Sequence, residues 1–126
     1  MSPFAIGVVA GLTFLQGAIA APRQDFTECL KRASLQAAAQ KVAPDQYSAF
    51  ANEQCAAQSA KFKAALVAFD VKNGIKRAQA SSDAQLQVDD YVSMSLEKYE
   101  SKVGAQPKTA ATPQPVQAAA PAQPQN

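Results

Sequence analysis

Hydrophobic positions divide the chain into three regions of different pattern. Residues 4–21 form an apolar run of eighteen residues without a charge, interrupted only by the polar side chains of Thr13 and Gln16. Between residues 25 and 103 apolar residues recur instead every three or four positions, the spacing that lays them along one side of a helix. Beyond Gly104 neither pattern continues, and Val116 is the one large apolar residue.

The middle region predicts three helical stripes. A first helix is predicted over residues 25–42, with Phe26, Leu30, Ala33 and Ala37 on its buried face. Asp25 and Glu28 near its start and Lys41 at its end follow the helix dipole. Pro44 then marks a break or the first turn of a second helix. That helix is predicted to run into the seventies, because Cys55, Phe62 and Phe69 repeat at seven residues and Ala51, Ala65 and Leu66 fill the same face. Asn73-Gly74 can cap this helix or be tolerated inside a longer one at about 1 kcal/mol for the glycine; continuation or a mild kink is the favoured reading, since Ile75 and Ala78 resume the apolar spacing. The boundary is placed at Ser81-Ser82-Asp83, where Ser82 and Gln85 have the spacing of a capping box. A third helix over residues 83–102 carries Val88, Val92, Leu96 or Ser95, Tyr99 and Val103 on its stripe, with Leu86 and Tyr91 flanking it. The expected fold is all-α: a small three-helix bundle, or an elongated helical hairpin plus a third helix, with a disordered C-terminal tail.

Composition sharpens the two ends. The apolar run is near the lower limit for crossing a bilayer, contains Gly7, Gly11 and Gly17, and finishes in small residues. This reads as a signal peptide over residues 1–20, cut between Ala20 and Ala21 after the small-x-small motif Ala18-Ile19-Ala20. The usual basic n-region is missing, because Met1-Ser2-Pro3 carries no charged side chain. The alternative is an uncleaved membrane anchor. At the other end, residues 105–126 hold seven Ala, five Pro and five Gln with Lys108 as the sole charge. A segment of that kind cannot recover its ordering entropy by burial. Residues 104–126 are therefore expected to form a tail, leaving residues 23–103 as the helical domain.

The two cysteines connect architecture to compartment. With the turn centred on Ala43, Cys29 lies fourteen residues before it and Cys55 twelve after it. At 1.5 Å per residue these positions are about 21 Å and 18 Å from the turn, level with each other in an antiparallel hairpin. A structural disulfide is the expectation, and an export signal makes it chemically reasonable. Closing a loop of that length is worth roughly 3 to 4 kcal/mol in the chain-entropy model.

Charge and residue inventory then remove function classes. Twelve basic and ten acidic side chains leave a net charge of +2, which directs no partner choice. Lys72, Lys76 and Arg77 share roughly one side of a helix; a solvated face is the plain reading and contact with acidic lipid or a partner the alternative, while nucleic-acid binding would want stacking aromatics beside a concentrated basic face. With no histidine in the chain, Ser-His-carboxylate and Cys-His arrangements, histidine-containing zinc sites and Cys-x-x-Cys-His haem attachment are excluded within it. Asp89 and Asp90 are adjacent and diverge on a helix; Glu97 and Glu100 share a face but read as solvated. Hence no catalytic residue, cofactor or metal is assigned. Tyr47, Phe50, Tyr91 and Tyr99 are expected to pack in the core, with a docking surface as the alternative if they form an exposed patch. The functional expectation is a small exported, non-enzymatic interaction or structural protein of the bacterial cell envelope, periplasmic or secreted, with an envelope protein as partner, no nucleic acid, and membrane contact only if the leader is retained. The runner-up is a membrane-anchored accessory subunit with residues 4–21 kept as the anchor.

Overall fold

Alanine-rich segments punctuated by two left-handed turns and one proline produce four α-helices in the computed structural model, which describes residues 13–105. They are α1 (Thr13–Ala39), α2 (Pro44–Gln54), α3 (Ala56–Lys72) and α4 (Arg77–Ala105). No strand occurs among the described residues. The predicted all-α bundle is thus the observed fold. Residues 1–12 of the expected leader and 106–126 of the expected tail lie outside the described residues, and the helix carries through Gly104 and Ala105, which the sequence reading assigned to the tail.

The four helices make three arms. Pro44 begins α2 at its first turn, with Ala43 extended before it and Asp45 in the dipole-favoured position. Between α2 and α3 only Cys55 leaves helical geometry, at φ −111° and ψ 18°. Its N–H still bonds the Ala51 carbonyl and its own carbonyl still accepts from Ser59, both at 2.9 Å. The expected long second helix is therefore one arm with a single-residue offset. Ring and sulfur contacts set the direction of the arms. Phe26 meets Phe62 and Cys29 meets Cys55, so α1 runs antiparallel to α3. Lys63 reaches Gln85 and Tyr47 stacks on Tyr99, so α4 runs antiparallel to the middle arm and parallel to α1.

The predicted stripes form the core. Phe26, Leu30, Ala33 and Ala37 of α1, Tyr47, Ala51, Cys55, Phe62 and Leu66 of the middle arm, and Val88, Val92 and Tyr99 of α4 are all buried. Phe69, Leu96 and Val103 are half-buried, whereas Leu86 is 60% exposed. Alanines at 33, 37, 51, 80 and 84 let the backbones approach, and the aromatic rings fill the wider layers. One trio, Phe26, Phe62 and Tyr91, packs edge-on and stacked with centroids 5.5–6.2 Å apart. One pair, Tyr47 and Tyr99, stacks at 4.4 Å. The Cys29–Cys55 bond lies between these two aromatic layers.

Helix ends differ from expectation at three places. At the first, α1 runs from Thr13 and contains Pro22, so Asp25 and Glu28 are mid-helix residues and their dipole argument does not apply. The second is Asn73-Gly74, which stops α3 instead of kinking it. Gly74 adopts φ +91°, its N–H bonds the Val71 carbonyl, and the Ile75 N–H bonds the Asp70 carbonyl; this is the Schellman arrangement. Ile75 and Ala78 are consequently exposed. The third is Ser81-Ser82-Asp83, which lies inside α4. Ser82 caps nothing there, and Gln85 bonds Lys63 and Asp89.

The same Schellman closure ends α1 without a glycine. Lys41 sits at φ 56°, with Lys41 N–H to Ala38 and Val42 N–H to Ala37. A side chain in this region costs roughly 1–2 kcal/mol, and K41G recovers part of that by relieving the strain, less the added freedom of the unfolded chain. Urea denaturation is expected to show K41G more stable by about 0.5–1 kcal/mol and G74A less stable by about 1 kcal/mol. A methyl group on Gly74 would meet nothing within 4 Å, so the cost at that position is backbone strain alone.

Candidate functional site

The residues singled out by sequence fall into three places: the disulfide, the aromatic core and the leader junction. Cys29 and Cys55 are bonded, with Cα atoms 5.8 Å apart and a sequence separation of 26. The side chains are 6% and 0% exposed. Burial keeps thiols and reductants from the sulfur atoms, and no other cysteine is present to exchange with them. The bond ties α1 to the junction of α2 and α3. The Cys29 sulfur approaches the Gln54 carbonyl oxygen at 3.7 Å; a disulfide sulfur has no proton to donate, so this is a van der Waals contact.

The four aromatic candidates do not form one surface. Tyr47 and Tyr99 are fully buried, and Phe50 and Tyr91 are half-buried against the same core. The docking alternative thus fails for Tyr47 and Tyr99, whose rings are needed inside. Their hydroxyls explain why tyrosine and not phenylalanine occupies these places. Tyr99 donates to the Val42 carbonyl at 2.6 Å, just past the left-handed Lys41 turn. Tyr47 pairs with the Ser95 hydroxyl at 2.6 Å and reaches the Leu30 carbonyl at 3.4 Å. These bonds tie the α1–α2 turn to α4, and sequence alone carries no signal for partners up to 57 residues apart.

Burial, and secondarily the nearby Tyr47, push the Tyr99 hydroxyl above its ordinary value of 10.0. A folded chain then holds its proton where the unfolded chain has lost it, so stability falls as pH rises above about 10. Circular-dichroism melts are expected to show this alkaline loss in the parent and a smaller one in Tyr99→Phe. That variant has a lower neutral-pH stability by about 1–2 kcal/mol, because the Val42 carbonyl loses its donor.

Potential chemistry is dispersed over the surface. Asp89, Asp90, Glu97, Glu100 and Ser82 are exposed. Asp89 accepts a bond from Gln85 at 2.8 Å, and Ser101 donates to the Glu97 carbonyl. Among the described residues no three His, Cys, Asp or Glu side chains come together as metal ligands.

The leader junction is helical. Ala18, Ala20 and Ala21 are exposed, while Ile19 turns inward against the core. Gly17, Ile19, Ala20 and Arg23 line a groove closed by Phe69 of α3. Pro22 has no N–H, so the Ala18 carbonyl lacks its usual donor four residues on. The helix is therefore weakest at the residues flanking the Ala20–Ala21 bond. Among the described residues no helix is long and apolar enough to cross a membrane. Comparison with known proteins places the chain beside none of them: no family model matches it, and no curated protein or solved structure does.

Proposed function

We propose that this chain is a small exported, non-enzymatic helical protein that serves the bacterial cell envelope as an interaction or structural module. The observation that carries the reading is the buried Cys29–Cys55 bond downstream of an apolar segment ending Ala18-Ile19-Ala20. Such a bond persists in oxidising compartments and is rare in the cytosol, and a leader of this composition is the route out. Cleavage at Ala20–Ala21 places Pro22 in the first turn of the mature α1, the one helical position that suits it. Cleavage removes Ile19 and its contact with the bundle, and a peptidase must hold the site extended, so on this reading processing precedes the packing of that segment.

The second reading keeps residues 4–21 as an anchor. The unbroken course of α1 through Pro22 favours it, since leader and bundle would then share one helix. Intact-mass measurement on the protein recovered from the envelope fraction separates the two. The proposal expects a chain of residues 21–126, two hydrogens lighter than its dithiol form. An exported chain that retains residues 1–20 supports the anchor. A full-length chain with two free thiols in the cytoplasmic fraction overturns both.

A further inference from the structure

We propose that the end of the bundle at which α1 enters is a docking surface for anionic lipid headgroups of an adjoining bilayer, an inference that rests on the envelope location proposed above. The turn between α3 and α4 lies at this end, because Phe69, near the end of α3, closes the groove lined by Ile19 and Arg23 of α1. Lys72 ends α3, Lys76 follows the Gly74 turn, and Arg77 opens α4; all three are exposed, as is Arg23. Ile75 stands 38% exposed between the cations. Arg77 and Lys63 also rim a shallow α3–α4 groove floored by Ala60, Ala64 and Val67. The acidic groups nearby are Asp70, half-buried in the last turn of α3, Asp25 one turn along α1 and Asp83 two turns into α4. An exposed apolar residue flanked by cations matches an interface whose headgroups are negative and whose depth is apolar.

Two further observations favour a bilayer over an ordinary solvated face. Lys76 and Arg77 stand at the start of α4, where the helix dipole disfavours cations, and no acidic residue occupies that first turn. Local helix stability does not explain them; an external anion does. The opposite end of the bundle provides the contrast, because Lys41, Lys98 and Lys102 are interleaved there with Asp45, Glu97 and Glu100. The cationic end is also where the apolar segment preceding Thr13 joins the bundle. Cleavage at Ala20–Ala21 adds the mature α-amino group to the same end. Both forms of the chain therefore present this end to lipid, the processed one through the basic residues for which sequence favours a plain solvated face.

The test is co-sedimentation of the full chain as recovered after export, its N-terminus established by intact mass. The probes are vesicles of mixed phosphatidylglycerol and phosphatidylcholine, against phosphatidylcholine alone. Binding is expected only with phosphatidylglycerol and to weaken with added salt. Each cation near the surface is worth roughly fivefold in affinity, so K72Q/K76Q/R77Q is expected to lose about 100-fold. The variant K41Q/K98Q/K102Q removes the same charge from the other end and is expected to bind like the parent. All six positions are exposed, and circular dichroism verifies that both variants remain folded. Equal losses in the two variants would mean net charge alone, and equal binding to both vesicle types would mean apolar partitioning; either overturns the surface, as does no binding to any vesicle. A chain that proves not to be exported removes the envelope reading by its mass and location, while the comparison of the two variants still reads the lipid surface separately.

Discussion

Reducing the Cys29–Cys55 bond lowers the thermal midpoint of the bundle by about 15–25 °C. The bond closes a loop with a sequence separation of 26, and the chain-entropy model converts that length to about 3.5 kcal/mol. For a domain of this size each kcal/mol moves the midpoint by about 4–8 °C. Because the sulfurs are buried, the loss appears only once the chain opens to the reductant, so melts in dithiothreitol must be equilibrated in advance. The double variant C29A/C55A isolates the crosslink. C55S falls further, since a hydroxyl at a fully buried position has to be satisfied or left bare. An unchanged midpoint in the double variant, or two free thiols in the mature chain, rejects the brace.

Phe62→Ala destabilises the bundle by about 3–5 kcal/mol, as large buried rings do when truncated. Phe62 is 1% exposed and holds two neighbours, Phe26 at 5.9 Å and Tyr91 at 5.5 Å between centroids. Its removal leaves a void at a level where all three arms contribute a ring. Phe62→Leu keeps much of the volume and costs less than half as much. The crosslink acts on the unfolded chain and the ring on the folded one, so the two losses add. F62A is expected to remain folded when oxidised and to be largely unfolded when reduced, which urea titration with and without dithiothreitol reads directly. Equal midpoints for F62A and its parent would remove Phe62 from the centre of the core.

The buried stripes and the pairing of the cysteines are legible in the sequence because each depends on one regular quantity. Helical periodicity places Phe26, Leu30, Phe62, Val88 and Val92 inward, and rise per residue brings Cys29 level with Cys55. The helix ends are read less well, because they depend on single backbone torsions. A glycine such as Gly74 is compatible with a helix interior or with a left-handed stop, and the exposed Ile75 and Ala78 imitate a continuing stripe. Lys41 hides the same turn behind a residue that rarely makes it. Placing the third boundary at Ser81–Asp83 also assigns Ala80, buried in α4, to the preceding helix. The offset at Cys55 has no composition signal, since neither glycine nor proline stands there. Of the aromatic candidates, periodicity finds the rings, but whether a ring is core or surface is decided by partners from other arms. The basic triad was visible as residues; its meeting with Arg23 and the leader junction required the direction of α1.

An odd number of arms leaves the two ends of the described bundle far apart. At 1.5 Å per residue the 29-residue α4 carries the chain about 43 Å, away from the entry point of α1. A fluorophore or tag fused after Ala105 therefore reports from the far pole and leaves Lys72, Lys76 and Arg77 unobstructed, whereas one fused ahead of Arg23 covers them. Circular permutation is correspondingly awkward: a linker joining the poles needs at least about 12 extended residues. The bundle is a ruler with unlike poles, and whatever is attached at one is held a full helix length from the other.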